Sequence, residues 1–273
     1  MSRTPYNLFI GEPASISLDY SVPDHLKKIN STEDLREADL TKFDSELRRA
    51  GSSLDEKISS KVIWRKRFLG MILDVTHVRQ DQYGNVTLRV SPIHPHRADL
   101  SYKQDKTLPR GVTPLTTGAI LLDRKGNVIL GVRGGDVECG KVATFPGGHI
   151  DFEDPRVEDV NYSLYREYNE ELGIDFDQEK DKNSLIGIMG NGDTQGINIL
   201  NTIQTHRSFE ELEYFWRNAK DRFEHSDIFI AELFQLKDLV ENGRTTKNDQ
   251  LLETTPYFQD CLYHYIKTVS RSS

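Results

Sequence analysis

The chain has 273 residues, 36% of them hydrophobic and 29% charged, which suits one large domain or two modest ones with a packed core under a very polar surface. Its net charge of −8 disfavours a non-specific grip on nucleic acid, and it would repel a polyphosphate unless cations or local arginines reversed the field. Two cysteines, Cys139 and Cys261, give neither a metal-binding spacing nor a disulfide framework, which favours a reducing, cytoplasmic setting.

Leu8 to Tyr20 carries short apolar runs broken by Gly11 and Pro13, and predicts edge strands or an extended arm. No apolar run in MSRTPYNLFIGEP is long enough for a signal peptide, and no stretch of the chain approaches the ~20 apolar residues of a membrane span. Ser31-Thr32-Glu33-Asp34 has the form of a capping box and opens a helix to about Arg49, with Leu35, Leu40, Phe43 and Leu47 on its buried face. Val62 to His77 reads as a strand, Gln82-Tyr83-Gly84-Asn85 as a turn, and Val86 to Val90 as the returning strand of a hairpin. His77, His94 and His96 have no acidic or thiol partner at a zinc spacing, so surface or hydrogen-bonded roles suffice for them. Residues 1–110 thus read as a smaller α+β region. It has three candidate roles: covering a site, forming a homodimer, or recognising a ligand.

Residues 111–273 read as a second unit. Thr116 to Leu122 and Val128 to Val132 form another predicted hairpin, turning at Asp123 to Asn127 and leading to Arg133. Val142 to Phe145 delivers the chain to Pro146-Gly147-Gly148, where two glycines let the backbone approach a ligand closely. Asp154 as N-cap, Pro155 as first helical residue and Gly173 beyond the C-terminus bracket about five turns of helix. Val157, Val160, Leu164 and Tyr168 form its apolar stripe. Glu167, Glu170 and Glu171 stand at i, i+3 and i+4, within roughly a 100° sector, and no lysine follows Arg166 on that face. Three such carboxylates form either a solvated acidic surface or a seat for a hard divalent cation, Mg²⁺ or Mn²⁺. Beyond the helix, strands are predicted at Leu185 to Met189 and Ile197 to Thr205, with a turn at Gly190-Asn191-Gly192-Asp193. A helix is predicted from Ser208 to about Phe223, a strand from Ile228 to Phe234, a short segment from Leu239, and a closing helix from Pro256 to Val269.

The stretch from Gly148 to Ile174 resembles the Nudix box, G-x5-E-x7-R-E-U-x-E-E-x-G-U, where U is a bulky apolar residue. Gly148 is followed by nine residues, Glu158, seven residues, and then Arg166-Glu167-Tyr168-Asn169-Glu170-Glu171-Leu172-Gly173-Ile174. The second half matches in full with Tyr168 as the bulky residue. The first half carries four extra residues, an insertion that includes Phe152-Glu153-Asp154-Pro155 and lies ahead of the helix. The resemblance implies an α/β/α sandwich around a central mixed sheet. It also implies hydrolysis, dependent on Mg²⁺ or Mn²⁺, of the pyrophosphate bond in a nucleoside diphosphate linked to another moiety, a small-molecule nucleotide.

The resemblance assigns the metal to Glu167, Glu170, Glu171 and the Gly148 carbonyl, with Glu171 or an acid elsewhere activating water. Glu158 and Arg166 would orient the helix as an ion pair, with Glu158 reaching the metal as its alternative role. Arg133 would either contact substrate phosphate or end its strand in solvent. Glu224, in the connection Asp221 to Asp227, is the candidate further acid, with a surface role as its alternative. Leu130, Arg133, Gly140 and Phe145-Pro146-Gly147-Gly148 approach the coenzyme A subgroup pattern, but the spacing is off by one and the middle arginine is missing. No Ser-Gln-Pro-Trp-like element of the NADH subgroup follows the box. ADP-ribose or a nucleotide sugar is therefore favoured over a dinucleoside polyphosphate or capped RNA. A non-catalytic nucleotide sensor is the alternative from another functional class.

Overall fold

The computed structural model describes residues 8–21, 23–24, 26–27, 32–59, 71–97, 112–134, 139–152, 160–191 and 196–272. Its architecture follows from strands that are apolar on both faces. On β5 (Leu115–Leu122), Ala119 and Leu121 point to one side and Ile120 to the other. On β6 (Val128–Arg133), Ile129 joins the first side, while Val128, Leu130 and Val132 join the second. A sheet of this kind must be covered twice. Helices α3 (Val160–Leu172) and α4 (Phe209–Arg217) cover the first face with Leu164, Tyr168, Leu172, Leu212 and Trp216. Helices α5 (Leu233–Asn242) and α6 (Pro256–Ser272) cover the second with Leu236, Leu239, Phe258 and Leu262. The fold is the expected α/β/α sandwich.

The central sheet runs in the order β1 (Leu8–Gly11), β9 (Lys182–Asn191), β10 (Gly196–Gln204), β5, β6, β11 (His225–Ile230). It is mixed, because β10 and β5 are parallel from Ile197↔Leu115 to Gln204↔Leu122 and the other neighbours are antiparallel. Strands β5 and β6 pair only at Leu121↔Ile129 and Leu122↔Val128, then splay apart. Two short strands fill the fork. β7 (Val142–Ala143) pairs with β6, and β8 (Gly147–His149) pairs with β5. The turn Pro146-Gly147-Gly148 is thereby held between the two arms, with Ala119 N donating to Pro146 O at 2.9 Å.

The N-terminal region adds α1 (Thr32–Arg49), α2 (Leu54–Ser59) and a separate sheet in the order β2 (Ser15–Tyr20), β4 (Asn85–Ile93), β3 (Ile72–Gln80). The predicted hairpin is present as β3 and β4, and the first part of the predicted Val62 strand lies outside the described residues. Leu73, Val75, Val86, Leu88 and Val90 of this sheet share one apolar cluster with Leu115, Ile150, Ile188, Ile197 and Ile199. Strand β1 is itself an edge of the central sheet, from Leu8↔Gly190 to Gly11↔Gly187. The N-terminal sheet and β1 therefore pack directly with the central sheet. Among the described residues, no helix is long and apolar enough to cross a membrane.

Several predicted boundaries move. The helix from Ser208 ends at Arg217, short of Phe223, because side chains take its last carbonyls: Asn218 Nδ2 donates to Tyr214 O at 2.8 Å and Arg222 Nη1 to Arg217 O at 3.2 Å. The strand predicted to reach Phe234 ends at Ile230, and Leu233 and Phe234 instead open α5. Glu232 and Gln235 form a reciprocal cap there, with Gln235 Oε1 accepting from Glu232 N at 2.9 Å. Leu239, expected to open a segment, is buried inside α5. A hairpin of β12 (Arg244–Lys247) and β13 (Gln250–Glu253) follows. Its turn residues, Asn248 and Asp249, have φ of 49° and 64°, and positive φ at both central positions is the mark of a tight hairpin turn. The predicted cap Asp154-Pro155, with Val157, and the end of the turn at Gly192-Asp193 lie outside the described residues.

His94 is a buried, partnered histidine. His96 N donates to its Nδ1 at 3.2 Å, Arg36 Nε lies 3.5 Å from its Nε2, and burial lowers its pKa to about 3. Beside it, Arg97 grips Asp39 through Nε and Nη2 at 3.1 and 3.2 Å and Glu46 through Nη1 at 2.6 Å. Asp39 Oδ2 also accepts from His94 N at 2.7 Å, so this pair ties α1 to the end of β4. Asp39→Ala leaves Arg97 with Glu46 alone and the His94 amide unpaired in a largely dry site, and the expected cost is about 2 kcal/mol. Urea unfolding measures it, and a loss below about 1 kcal/mol would contradict the role of this clamp.

Candidate functional site

The last two turns of α3 carry Arg166, Glu167, Glu170 and Glu171 and no basic residue in the final turn. The helix stops at Gly173, whose φ is 71° and whose N donates to Asn169 O at 2.7 Å, as a left-handed C-terminal residue should. The underside is anchored by Leu164, Tyr168 and Leu172, all fully buried. The acidic upper side faces the glycine turn in the fork of the sheet.

Arg166 is the centre of that upper side. Its Nη1 lies 2.9 Å from Glu170 Oε2, and its Nη2 lies 2.9 Å from Glu167 Oε1, 3.2 Å from Asp151 Oδ2 and 3.1 Å from His149 O. Glu158, expected as its partner, lies outside the described residues. Among those described, Asp151, Glu167 and Glu170 hold the guanidinium. Lys220 Nζ approaches Glu170 Oε1 at 3.5 Å.

Gly148 is in contact with Glu167, whose carboxylate occupies the place a Cβ would take. The absence of a side chain there is what lets the turn and the carboxylate share one space. Gly147 N donates to Glu171 Oε1 at 3.3 Å. Glu171 is 1% exposed, and its Oε2 has no hydrogen-bond partner. Burial, reinforced by the nearby Glu224 charge, raises the Glu171 pKa well above the carboxylate range, while Arg133 and the Gly147 amide pull it back. Burial also pushes Glu167 up to about 8, opposed by Arg166 and reinforced by Glu171 and Glu170.

Arg133, at the end of β6, is the register partner of His225 at the start of β11, and its charge acts on both Glu171 and His225. Glu224 belongs to a single 3-10 turn, Arg222–Glu224, docked at two points. Asp221 N donates to Glu170 O at 3.1 Å, and Gly134 N donates to Glu224 O at 2.8 Å. The structure thus brings Arg133, Gly148, Glu167, Glu170, Glu171 and Glu224 to one end of the sheet.

The residue that sequence reading missed is His225. It is 2% exposed, its Nε2 lies 3.3 Å from Glu171 Oε2, and the Phe145 ring meets it edge-on with centroids 4.8 Å apart. The separation is within hydrogen-bond range, but the geometry is off-axis, and neither atom makes a hydrogen bond. Burial, with the Arg133 charge, lowers the His225 pKa to about 3, so the ring is neutral. The ring rests on Gly131, where a Cβ would collide with Nδ1. A glycine inside the apolar run Val-Ile-Leu-Gly-Val was the available signal, since it marks close approach by a neighbour.

Among the described residues, no three acidic, histidine or cysteine side chains already stand in a cation-binding arrangement. The reason is visible: Arg166 engages Glu167 and Glu170, and Glu171 turns to the Gly147 amide. The donor set nevertheless fits Mg²⁺ or Mn²⁺. The oxygens are hard, they gather on one helix face beside a glycine turn, and Glu171 Oε2 is buried with no hydrogen bond to satisfy it.

No protein-family model matches the chain, and no curated protein matches it. Solved structures align with part of the chain. A MutT Nudix hydrolase from Burkholderia pseudomallei is 19% identical, over 56% of this chain and 97% of that one, with a TM-score of 0.36. A mutT/nudix family protein from Listeria innocua is 16% identical, over 58% and 95%, with a TM-score of 0.37. The Nudix domain of Shewanella oneidensis NrtR, in a complex with ADP-ribose, is 13% identical, over 57% and 88%, with a TM-score of 0.39.

The seat of His225 is directly testable. Gly131→Ala puts a methyl group into a ring that Phe145 blocks from one side, and overpacking of this kind costs about 1–3 kcal/mol. Urea unfolding of the variant should show that loss, and unchanged stability would mean the ring has room to move.

Proposed function

We propose that the chain is a Nudix-type pyrophosphohydrolase acting on a nucleoside diphosphate linked to another moiety, with Mg²⁺ or Mn²⁺ as cofactor. The observation that carries this reading is the convergence of Glu167 and the buried, partly unsatisfied Glu171 on the Gly147-Gly148 turn, with Glu170 joined to Glu167 through Arg166. Glu167, Glu170, Glu171 and the Gly148 carbonyl would hold the cation. When bound, such an ion neutralises the pyrophosphate and polarises it as a Lewis acid.

The chain's own groups divide the remaining work. Arg166 offsets the repulsion between Glu167 and Glu170 and holds both in a half-buried position. The Gly147 amide fixes one oxygen of Glu171. Arg133, next to Glu171 in the field of the site, meets the substrate's phosphate oxygens. Water attacks phosphorus in line, the P–O–P bridge breaks, and the water proton passes to a carboxylate, Glu224 or Glu171. ADP-ribose or a nucleotide sugar is the favoured substrate. The coenzyme A and NADH patterns are not met, and the net charge of −8 works against the long phosphate backbone of a capped RNA. Both cysteines are free thiols, Cys139 exposed and Cys261 buried, which supports a cytoplasmic setting.

One observation favours a second reading, a nucleotide sensor without turnover: Arg166 already engages two of the three glutamates. One assay separates the two. The purified protein is incubated with Mg²⁺ or Mn²⁺ and a panel of nucleoside diphosphate derivatives, and the products are identified by mass. The enzyme reading expects cleavage at the pyrophosphate, and kcat of Glu171→Gln lower by ~10²–10⁴ with the fold intact. Binding of ADP-ribose without cleavage would favour the sensor. Near wild-type turnover in Glu171→Gln would contradict the assigned mechanism.

A further inference from the structure

We infer that His225 is a positioning residue for Glu171, donating its Nε2–H to Glu171 Oε2 so that the carboxylate is held at both oxygens and aimed at the glycine turn. The inference rests on the proposed cation-dependent hydrolysis and adds a residue that the Nudix box does not contain. Three buried polar atoms without hydrogen-bond partners belong to this one pair of side chains: Glu171 Oε2, His225 Nε2 and His225 Nδ1. Buried orphans of this kind are rare because each forfeits its hydration. Two of them already stand 3.3 Å apart.

The packing shows that the ring is placed there with care for its neighbours. It lies against Gly131, it meets Phe145 edge-on at 4.8 Å, and β11 holds its backbone in register with Arg133. A phenyl ring would fill a similar volume with no polar atom to satisfy. A neutral imidazole offers one N–H and one acceptor nitrogen. When a bound cation keeps Glu171 ionised, only the Nε2–H tautomer is attractive. The other tautomer sets lone pair against lone pair and buries its N–H against the Gly131 backbone. The Gly147 amide already holds Glu171 Oε1 at 3.3 Å, so a donor on Oε2 fixes the plane of the carboxylate as well as its distance. Hydrogen bonds of this kind behind a metal-binding side chain are worth ~10–100-fold in affinity or activity.

The test uses the full chain and three proteins: wild type, His225→Met, which keeps volume and removes the donor, and His225→Gln, which restores an N–H near the Nε2 position. Free Mn²⁺ is followed by electron paramagnetic resonance during titration. In parallel, kcat and KM are measured on the substrate found by the panel. The expected result is Mn²⁺ affinity and kcat lower by ~10–100-fold in His225→Met, with KM within about threefold and an unfolding midpoint no lower than wild type, and recovery to within about threefold in His225→Gln. Wild-type Mn²⁺ affinity and kcat in the methionine variant, or an equal loss in both variants, would overturn the inference while leaving the proposed hydrolysis standing. Failure of the wild type itself to bind Mn²⁺ would overturn both. Should His225→Met fail to fold, His225→Leu takes its place against the glutamine variant, with the same outcomes.

Discussion

Carboxyl groups gathered at the C-terminal end of α3 are the constraint to which the rest of the structure answers. Glu167, Glu170 and Glu171 stand where the helix dipole is already negative, and Asp151 joins them around Arg166. Like charges at these spacings cost a few tenths of a kcal/mol each even when solvated, and burial raises the cost. What holds the helix in place is its underside. Leu164, Tyr168 and Leu172 are fully buried, at about 1.5–3 kcal/mol each, so the apolar face outweighs the repulsion several-fold. The acidic face is thus held in a state that a cation would relieve.

The fork in the central sheet decides what that face meets. Because β5 and β6 separate after two residue pairs, a short returning segment fits between them and presents backbone to α3. Backbone is what the carboxylates need here. Gly148 leaves room for Glu167, and Gly147 offers its amide to Glu171. On the other arm, the segment from Asp221 to His225 is tied to α3 by one backbone hydrogen bond and to Gly134 by another, which brings Glu224 and His225 alongside. A turn that fills the fork, a helix end and a strand start therefore converge without any of them being adjacent in sequence.

Local spacing made the acidic helix face, the two hairpins and the glycine turn legible from the sequence, since each depends on residues within a few positions of one another. The sandwich was implied by the resemblance of Gly148 to Ile174 to the Nudix box, and strands β5 and β6, apolar on both faces, agree with it. Contacts between distant segments were not legible. Nothing local says that the Arg166 fork takes Asp151, that His225 lies beside Glu171, or that Leu73 and Val75 share a core with Ile188 and Ile199. The misplaced boundary at Ile230 has a different cause. Leu233 and Phe234 extend an apolar run that reads as strand, yet the Glu232–Gln235 cap turns the chain into helix and leaves both side chains exposed. The β12–β13 hairpin was missed because Asn248-Asp249 is a weaker turn signal than the asparagine- or aspartate-glycine pair that such turns favour.

The account depends on whether the glutamates of α3 seat a cation. A crystal structure of the protein soaked in Mn²⁺, with anomalous data at the manganese edge, decides this most directly. The account predicts an anomalous peak with oxygens of Glu167, Glu170 or Glu171 at coordination distances of about 2.0–2.6 Å, close to the Gly148 carbonyl. A peak elsewhere, or none, with Glu167 and Glu170 still held by Arg166, would contradict it.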